Sequence, residues 1–196
     1  MPSSDDLRAR FSAVYTAALT DVLDELGHRH QTLPAEIVPL EPGARVAGPA
    51  FAVDLKAAWM LAKALLPQLI ERRGAIVNIS SIQARLTLHG FFPYAAAKAG
   101  LEGLTRSLAL DYAPAGVRAN AVAPGYTDTY LVQEWLSLQD DPAATLESVL
   151  ANIPLGRMAT PREIGNVVAF LLSDRASAIT GATIAVDCGT GVRFAT

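Results

Sequence analysis

Residues of an apolar face recur at helical spacing near the start of the chain: Leu7, Phe11, Val14, Tyr15, Ala18, Val22 and Leu26. They predict one amphipathic helix over 4–28. Ser4 stands as its N-cap, Asp5 and Asp6 occupy the turn where the helix dipole favours negative charge, and Gly27 is a stop. Pro34, Pro39, Pro42 and Gly43 follow, so 33–44 reads as a connection. The stretch RVAGPAFAV at 45–53 reads as a short strand, which Pro49 confines to a sheet edge or bulge because it has no N–H to donate.

From residue 55 the period of the pattern switches back and forth. Residues 55–72 repeat as a helix that stops at Gly74. The run AIVNI at 75–79 is apolar except for Asn78 and reads as a buried strand. A helix opens at Tyr94 and continues to about residue 112, closed by Pro114 and Gly116. A second strand over 117–123 ends at Pro124-Gly125. Residues 126–160 are rich in loops, with helices around 131–138 and 144–151. Thr160, Pro161 and Glu163 supply an N-cap, an N1 proline and an N3 carboxylate for a helix over 161–173. A last short strand covers 183–186.

Helix and strand in alternation predict right-handed crossovers and a parallel sheet. The expected fold is α/β, a truncated Rossmann-like parallel sheet preceded by a helix and a short strand. In such sheets ligands bind outside the carboxyl ends of the strands. Ser81 and Pro124-Gly125 both fall at such ends. The strand at 75–80 has an apolar edge that needs a cover, from 45–53 or from a second subunit.

The richest chemistry lies between 75 and 100. Tyr94 and Lys98 are four residues apart on one helix, so a phenol and an ammonium share a face. The ammonium favours the phenolate. Such a tyrosine can pass a proton to or from a carbonyl or alcohol oxygen, and Ser81 can hold the same oxygen by hydrogen bond. These three residues carry no electrons, so a hydride would have to come from a cofactor. Singly the features are common: Tyr-x-x-x-Lys recurs by chance, and a strand-terminal Ser-Ser is ordinary turn chemistry. Their order and spacing on these elements is what is specific.

Composition narrows the classes. With 51% hydrophobic and 18% charged residues the chain is globular rather than disordered. A formal net charge of −3 gives no electrostatic case for nucleic acid or an anionic membrane as partner. Cys188 is the single cysteine, which excludes an intramolecular disulfide and fits a reducing cytoplasm. The polar, acidic start does not read as a signal peptide, and the most apolar helix, 57–70, carries Lys63 and Pro67 and is too short for a bilayer. His28 and His30 have no third ligand nearby, so no metal site is expected.

Residues from about 54 to 192 resemble the C-terminal part of a short-chain dehydrogenase/reductase. The resemblance rests on LKAAW at 55–59, GAIVNISS at 74–81, Tyr94-x-x-x-Lys98 and RANAVAPGYTDT at 118–129. IPLGRMATPREIGNVVAFLLS at 153–173 and ITGATIAVDCGTG at 179–191 complete it. It implies Ser81 as the residue that orients the substrate carbonyl and Tyr94 as the acid/base. It implies that Lys98 stabilises the Tyr94 phenolate and binds the nicotinamide ribose. Pro124, Gly125, Thr127 and Thr129 would line the nicotinamide and pyrophosphate side, and 130–155 would form a substrate lid. The helix pair matching 55–72 and 94–112 forms a subunit interface in that family, which implies a homo-oligomer, dimer or tetramer.

Three departures stand out. Asp54 occupies the place where the family usually has an asparagine that maintains a proton-relay water. Asp187-Cys188-Gly189 replaces the usual Asp-Gly-Gly. The family's glycine-rich turn, whose backbone N–H groups approach the pyrophosphate, has no counterpart in 1–53, where glycine stands only at 27, 43 and 48. Gly189-Thr190-Gly191 follows the last strand with no helix after it and does not replace that turn. NAD or NADP is the implied cofactor, with weakened binding.

TAALTDVLDELG at 16–27 and LPAEIVPLEPGARVAGPAFAV at 33–53 resemble the start of another family, the 4-hydroxy-4-methyl-2-oxoglutarate aldolases and related ribonuclease-activity regulators. The likeness stops before that family's metal site, so no catalytic residue carries over. The two resemblances meet at 53–54, which divides the chain into 1–53 and 54–196 and suggests a fusion. The expected function is interconversion of a small alcohol and carbonyl with a nicotinamide cofactor. The alternatives are a non-catalytic remnant acting through oligomerisation and, with less support, an aldolase-like lyase.

Overall fold

The computed structural model describes residues 50–192. The helix expected over 4–28, the His28–His30 pair and the chain up to residue 49 lie outside them. The first described helix, α1, runs Ala50–Arg72. Residues 50–53 are therefore helical, and the strand expected over 45–53 does not extend into them. A short apolar run such as AFAV has no period of its own, and the alanine-rich stretch after it favours helix. At the other end Arg73 takes a φ of 51° and Gly74 N donates to the Leu69 carbonyl at 2.8 Å, which closes the last turn.

The remaining elements follow the predicted order. They are β1 (Ala75–Ile79), α2 (Tyr94–Tyr112), β2 (Arg118–Pro124), α3 (Tyr130–Ser137), α4 (Pro142–Ala151), α5 (Pro161–Leu172) and β3 (Thr183–Val186). The strands form one parallel sheet in the order β1-β2-β3, with Ala75 opposite Arg118 and Ala121 opposite Thr183. This is an α/β fold with a truncated Rossmann-like sheet.

Alternation along the strands sends side chains to two faces. Val77 and Val122 pack with Val168 and Leu171 of α5. Ile76 and Ala119 pack on the other face with Ala62 of α1 and with Leu108 and Ala109 of α2. The strands advance in one direction while α2 and α5 lie on opposite faces. The two crossovers therefore have opposite hands, which corrects the expectation that both are right-handed. Asn120, fully buried, secures the return on the α5 face. Its Nδ2 donates to the Ile179 carbonyl at 2.8 Å and its Oδ1 accepts from Ala182 N at 3.1 Å. This tertiary bond pair sets where the chain enters β3, and no local pattern encodes it.

Among the described residues β1 pairs with β2 alone. Residues 50–53, being helical, do not supply the cover expected for its other edge. Among the described residues no helix is long and apolar enough to cross a membrane.

Candidate active site

The carboxyl ends of β1 and β2 stay paired one residue past the strand, where Ser80 N donates to the Val122 carbonyl at 2.7 Å. Ser81 then caps a short 3-10 turn, Ile82–Ala84, its Oγ accepting from Gln83 N at 3.2 Å. Ser81 is buried. A hydroxyl that accepts through a lone pair keeps its O–H to donate.

Tyr94 opens α2 and Lys98 follows one turn later. Lys98 Nζ lies 5.5 Å from the centre of the Tyr94 ring and donates to the Ile79 carbonyl at 3.2 Å. Phe91 packs edge-on against the Tyr94 ring at 6.4 Å. Both Tyr94 and Lys98 are half-buried. The structure thus brings Tyr94, Lys98 and the end of β1 together.

Pro124 ends β2 on the same rim. Gly125 N donates to the Val186 carbonyl at 3.2 Å, and a Cβ on Gly125 would stand 2.8 Å from Asp187 Cβ and 2.9 Å from its Cα. Glycine is needed there for the approach of two backbones. Thr127 Oγ1 donates to the Gly125 carbonyl at 3.2 Å, and Thr129 Oγ1 caps α3 by accepting from Val132 N at 3.3 Å. These two hydroxyls therefore shape the loop that leaves the rim.

That loop leads into the expected lid, whose two ends are pinned together. Asp128 N donates to the Ala159 carbonyl at 2.8 Å and Ala159 N to the Tyr126 carbonyl at 3.0 Å. Between them α3 and α4 enclose a small core of Leu136, Val149, Ile153 and Met158. Beside the pin, Arg157 donates to both oxygens of Glu163, at 2.7 and 2.9 Å, and Thr160 N donates to Glu163 Oε2 at 2.8 Å. The hydrogen bonds from Arg157, then those from Thr160, pull the Glu163 carboxyl from 4.5 to about 2. The same contact raises Arg157 above the ordinary guanidinium range.

Asp187 accepts from Gly189 N at 2.9 Å and from Gly191 N at 2.6 Å, so the Asp-Cys-Gly variant keeps a tight turn. Cys188 takes a φ of 54° within it, a conformation that glycine adopts without strain. The Asp54 side chain lies outside the described residues.

Sequence reasoning overlooked Glu102, a buried carboxylate one turn beyond Lys98, together with its partners Ser80 and Arg85. Its spacing was the available signal: Tyr94, Lys98 and Glu102 stand at i, i+4 and i+8, on one helix face.

An ammonium, a phenol and a buried hydroxyl on one strand-end rim suit the ribose and nicotinamide end of a dinucleotide. Among the described residues no glycine-rich strand-to-helix turn accompanies them, so the pyrophosphate end has no matching cradle there.

A family model described as enoyl-(acyl carrier protein) reductase matches residues 45–191. Oxidoreductase UcpA of Salmonella typhimurium is 40% identical over 141 residues, 70% of this chain and 54% of that protein. A solved short chain dehydrogenase/reductase family protein has a TM-score of 0.65 at 37% identity, covering 73% of this chain and 57% of that one. The solved aldohexose dehydrogenase of Thermoplasma acidophilum has a TM-score of 0.71 at 30% identity, covering 90% of this chain and 75% of that one. The chain spans about half the length of the curated relative, 54%. These matches lend no support to an aldolase-type segment at 4–53. The family match, the strand-end serine, the Tyr94–Lys98 pair and the parallel sheet agree: the chain belongs to the short-chain dehydrogenase/reductase family.

Proposed function

We propose that this chain is an oxidoreductase interconverting a small alcohol and its carbonyl with NAD or NADP, with Ser81, Tyr94 and Lys98 handling the proton. The observation that carries this reading is the position of Lys98 Nζ, 5.5 Å from the Tyr94 ring centre and 3.2 Å from the Ile79 carbonyl at the end of β1. The nicotinamide cofactor supplies or accepts the hydride when bound. Ser81 donates its O–H to the substrate oxygen and orients it. Tyr94 gives its phenolic proton to that oxygen during reduction and takes it back during oxidation. The Lys98 ammonium stabilises the phenolate left behind and binds the ribose hydroxyls. Pro124, Gly125, Thr127 and Thr129 would border the nicotinamide and pyrophosphate side, and α3 and α4 would cover the substrate.

Cofactor binding is weak in this reading, because 1–53 holds glycine only at 27, 43 and 48 and offers no phosphate-binding turn. The chain acts in a reducing cytoplasm as a dimer or tetramer through α1 and α2. Trp59 at 50%, Met60 at 52% and Leu110 at 79% exposure support such an interface. Sedimentation of a monomer at micromolar concentration would remove the oligomer from the account.

The test is NADH- or NADPH-dependent reduction of a panel of small aldehydes and ketones by the full chain. Turnover lost in Ser81→Ala and Tyr94→Phe supports the reading. Turnover that survives both variants places the chemistry elsewhere. A second reading, a non-catalytic remnant working only through oligomerisation, is favoured by the missing glycine-rich turn. An oligomer with no reductase activity on any substrate would establish it.

A further inference from the structure

Glu102 is buried, 4% exposed, on the α2 face that also carries Tyr94 and Lys98. One carboxylate oxygen accepts from Ser80 Oγ at 3.3 Å. The other accepts from Arg85 Nε and Nη2, both at 3.3 Å, with Arg106 Nη1 at 4.0 Å. The single Ser80 O–H is shared with the Lys98 carbonyl, which accepts from it at 3.1 Å. Ser80 and Arg85 are the residues on either side of the turn that holds Ser81. A buried carboxylate is tolerated when it is paired and hydrogen-bonded, and here both oxygens are used to grip that turn.

We propose that Glu102 is a positioning residue: it clamps both flanks of the Ser81 turn to the helix that carries Tyr94 and Lys98. An ordinary surface ion pair holds little, but this carboxylate is buried and the arginine crosses to it from an exposed loop. Within the turn, Gln83 N, Ala84 N and Arg85 N bond to Ser81 and Ile82, so none of these three N–H groups ties the turn to α2. Without Glu102 the Arg85 flank loses its tie to α2 and only the Ser80 bond to the Lys98 carbonyl remains, so Ser81 is held less firmly in relation to Tyr94. The catalytic meaning of this clamp rests on the oxidoreductase reading, so the decisive readout needs no cofactor.

The experiment is amide hydrogen exchange on the full chain, comparing wild type with Glu102→Ala, Glu102→Gln and Arg85→Ala. In Glu102→Ala and Arg85→Ala, exchange at Gln83, Ala84 and Arg85 should quicken about tenfold, as expected for loss of one charge-assisted hydrogen bond. Exchange at Ala121 and Val122 in β2 should stay as in wild type. Glu102→Gln keeps an acceptor for Ser80 and should recover part of the protection. Arg85 is exposed, so Arg85→Ala decides the matter should Glu102→Ala fail to fold. Where wild type turns over, Glu102→Ala should lower kcat with cofactor KM unchanged, and Glu102→Gln should restore part of it. Unchanged exchange at 83–85, or equal acceleration in β2, overturns the clamp. A wild type without turnover overturns the oxidoreductase reading instead and leaves the exchange result standing.

Discussion

Lys98 reaches from α2 to the last carbonyl of β1: its Nζ donates to the Ile79 oxygen at 3.2 Å while lying 5.5 Å from the centre of the Tyr94 ring. The ammonium thus ties the helix that carries the phenol to the strand end that carries Ser81. If Tyr94 is the acid/base, Tyr94→Phe removes the proton and keeps the ring against Phe91. Turnover should fall by about 10²–10⁴-fold, with little change in the melting temperature. Steady-state kinetics and a thermal melt check both halves. A large loss of stability with unchanged kcat would assign Tyr94 to packing.

Beneath the site, Asn78 Nδ2 donates to Thr105 Oγ1 at 2.8 Å, and Thr105 Oγ1 in turn donates to the Leu101 carbonyl at 2.8 Å. Both side chains are buried. Thr105→Val keeps the shape and leaves the Asn78 amide without its acceptor. The expected loss of stability is about 1–3 kcal/mol, the cost of an unsatisfied buried donor. Urea unfolding should show a lower midpoint at the same slope, and an unchanged midpoint would mean that the amide finds another partner.

Beside the bonds that join Tyr126 and Asp128 to Ala159, hydrogen bonds from Arg157 and Thr160 lower the Glu163 carboxyl from 4.5 to about 2. A lowered folded-state value contributes stability that is fully present above about 4.5 and is lost as pH falls through about 2. Glu163→Gln should therefore be less stable than wild type at neutral pH. The gap should close as pH drops from 4.5 toward 2. Melting temperatures of the two proteins across that range test the sign, and a gap that widens in acid would reverse it.

Much of the described fold was legible because its signals are local. The capping box of Thr160 and Glu163 marks the start of α5, and the apolar runs at 75–79 and 183–186 are the strands themselves. Tyr94 and Lys98 were legible as a pair because four residues make one helical turn. What escaped depends on partners far along the chain. Asn120 meets Ile179 across 59 residues, and α5 packs through Val168 and Leu171 on Val77 and Val122, the face opposite α2, so no local period announces the change of hand. Glu102 meets Ser80 and Arg85 across 22 and 17 residues, and a single glutamate in a helix looks like solvated surface until the turn folds over it. The start of α1 escaped for a different reason: AFAV suits a strand and a helix alike.

The central claim is that this chain uses a nicotinamide cofactor through Lys98. Titration of the full chain with NADH and NADPH, followed by nicotinamide fluorescence, tests it most directly. The expected result is saturable binding that is weakened in Lys98→Ala and nearly kept in Tyr94→Phe. No saturable signal from either cofactor at millimolar concentration, or equal binding by wild type and Lys98→Ala, would contradict it.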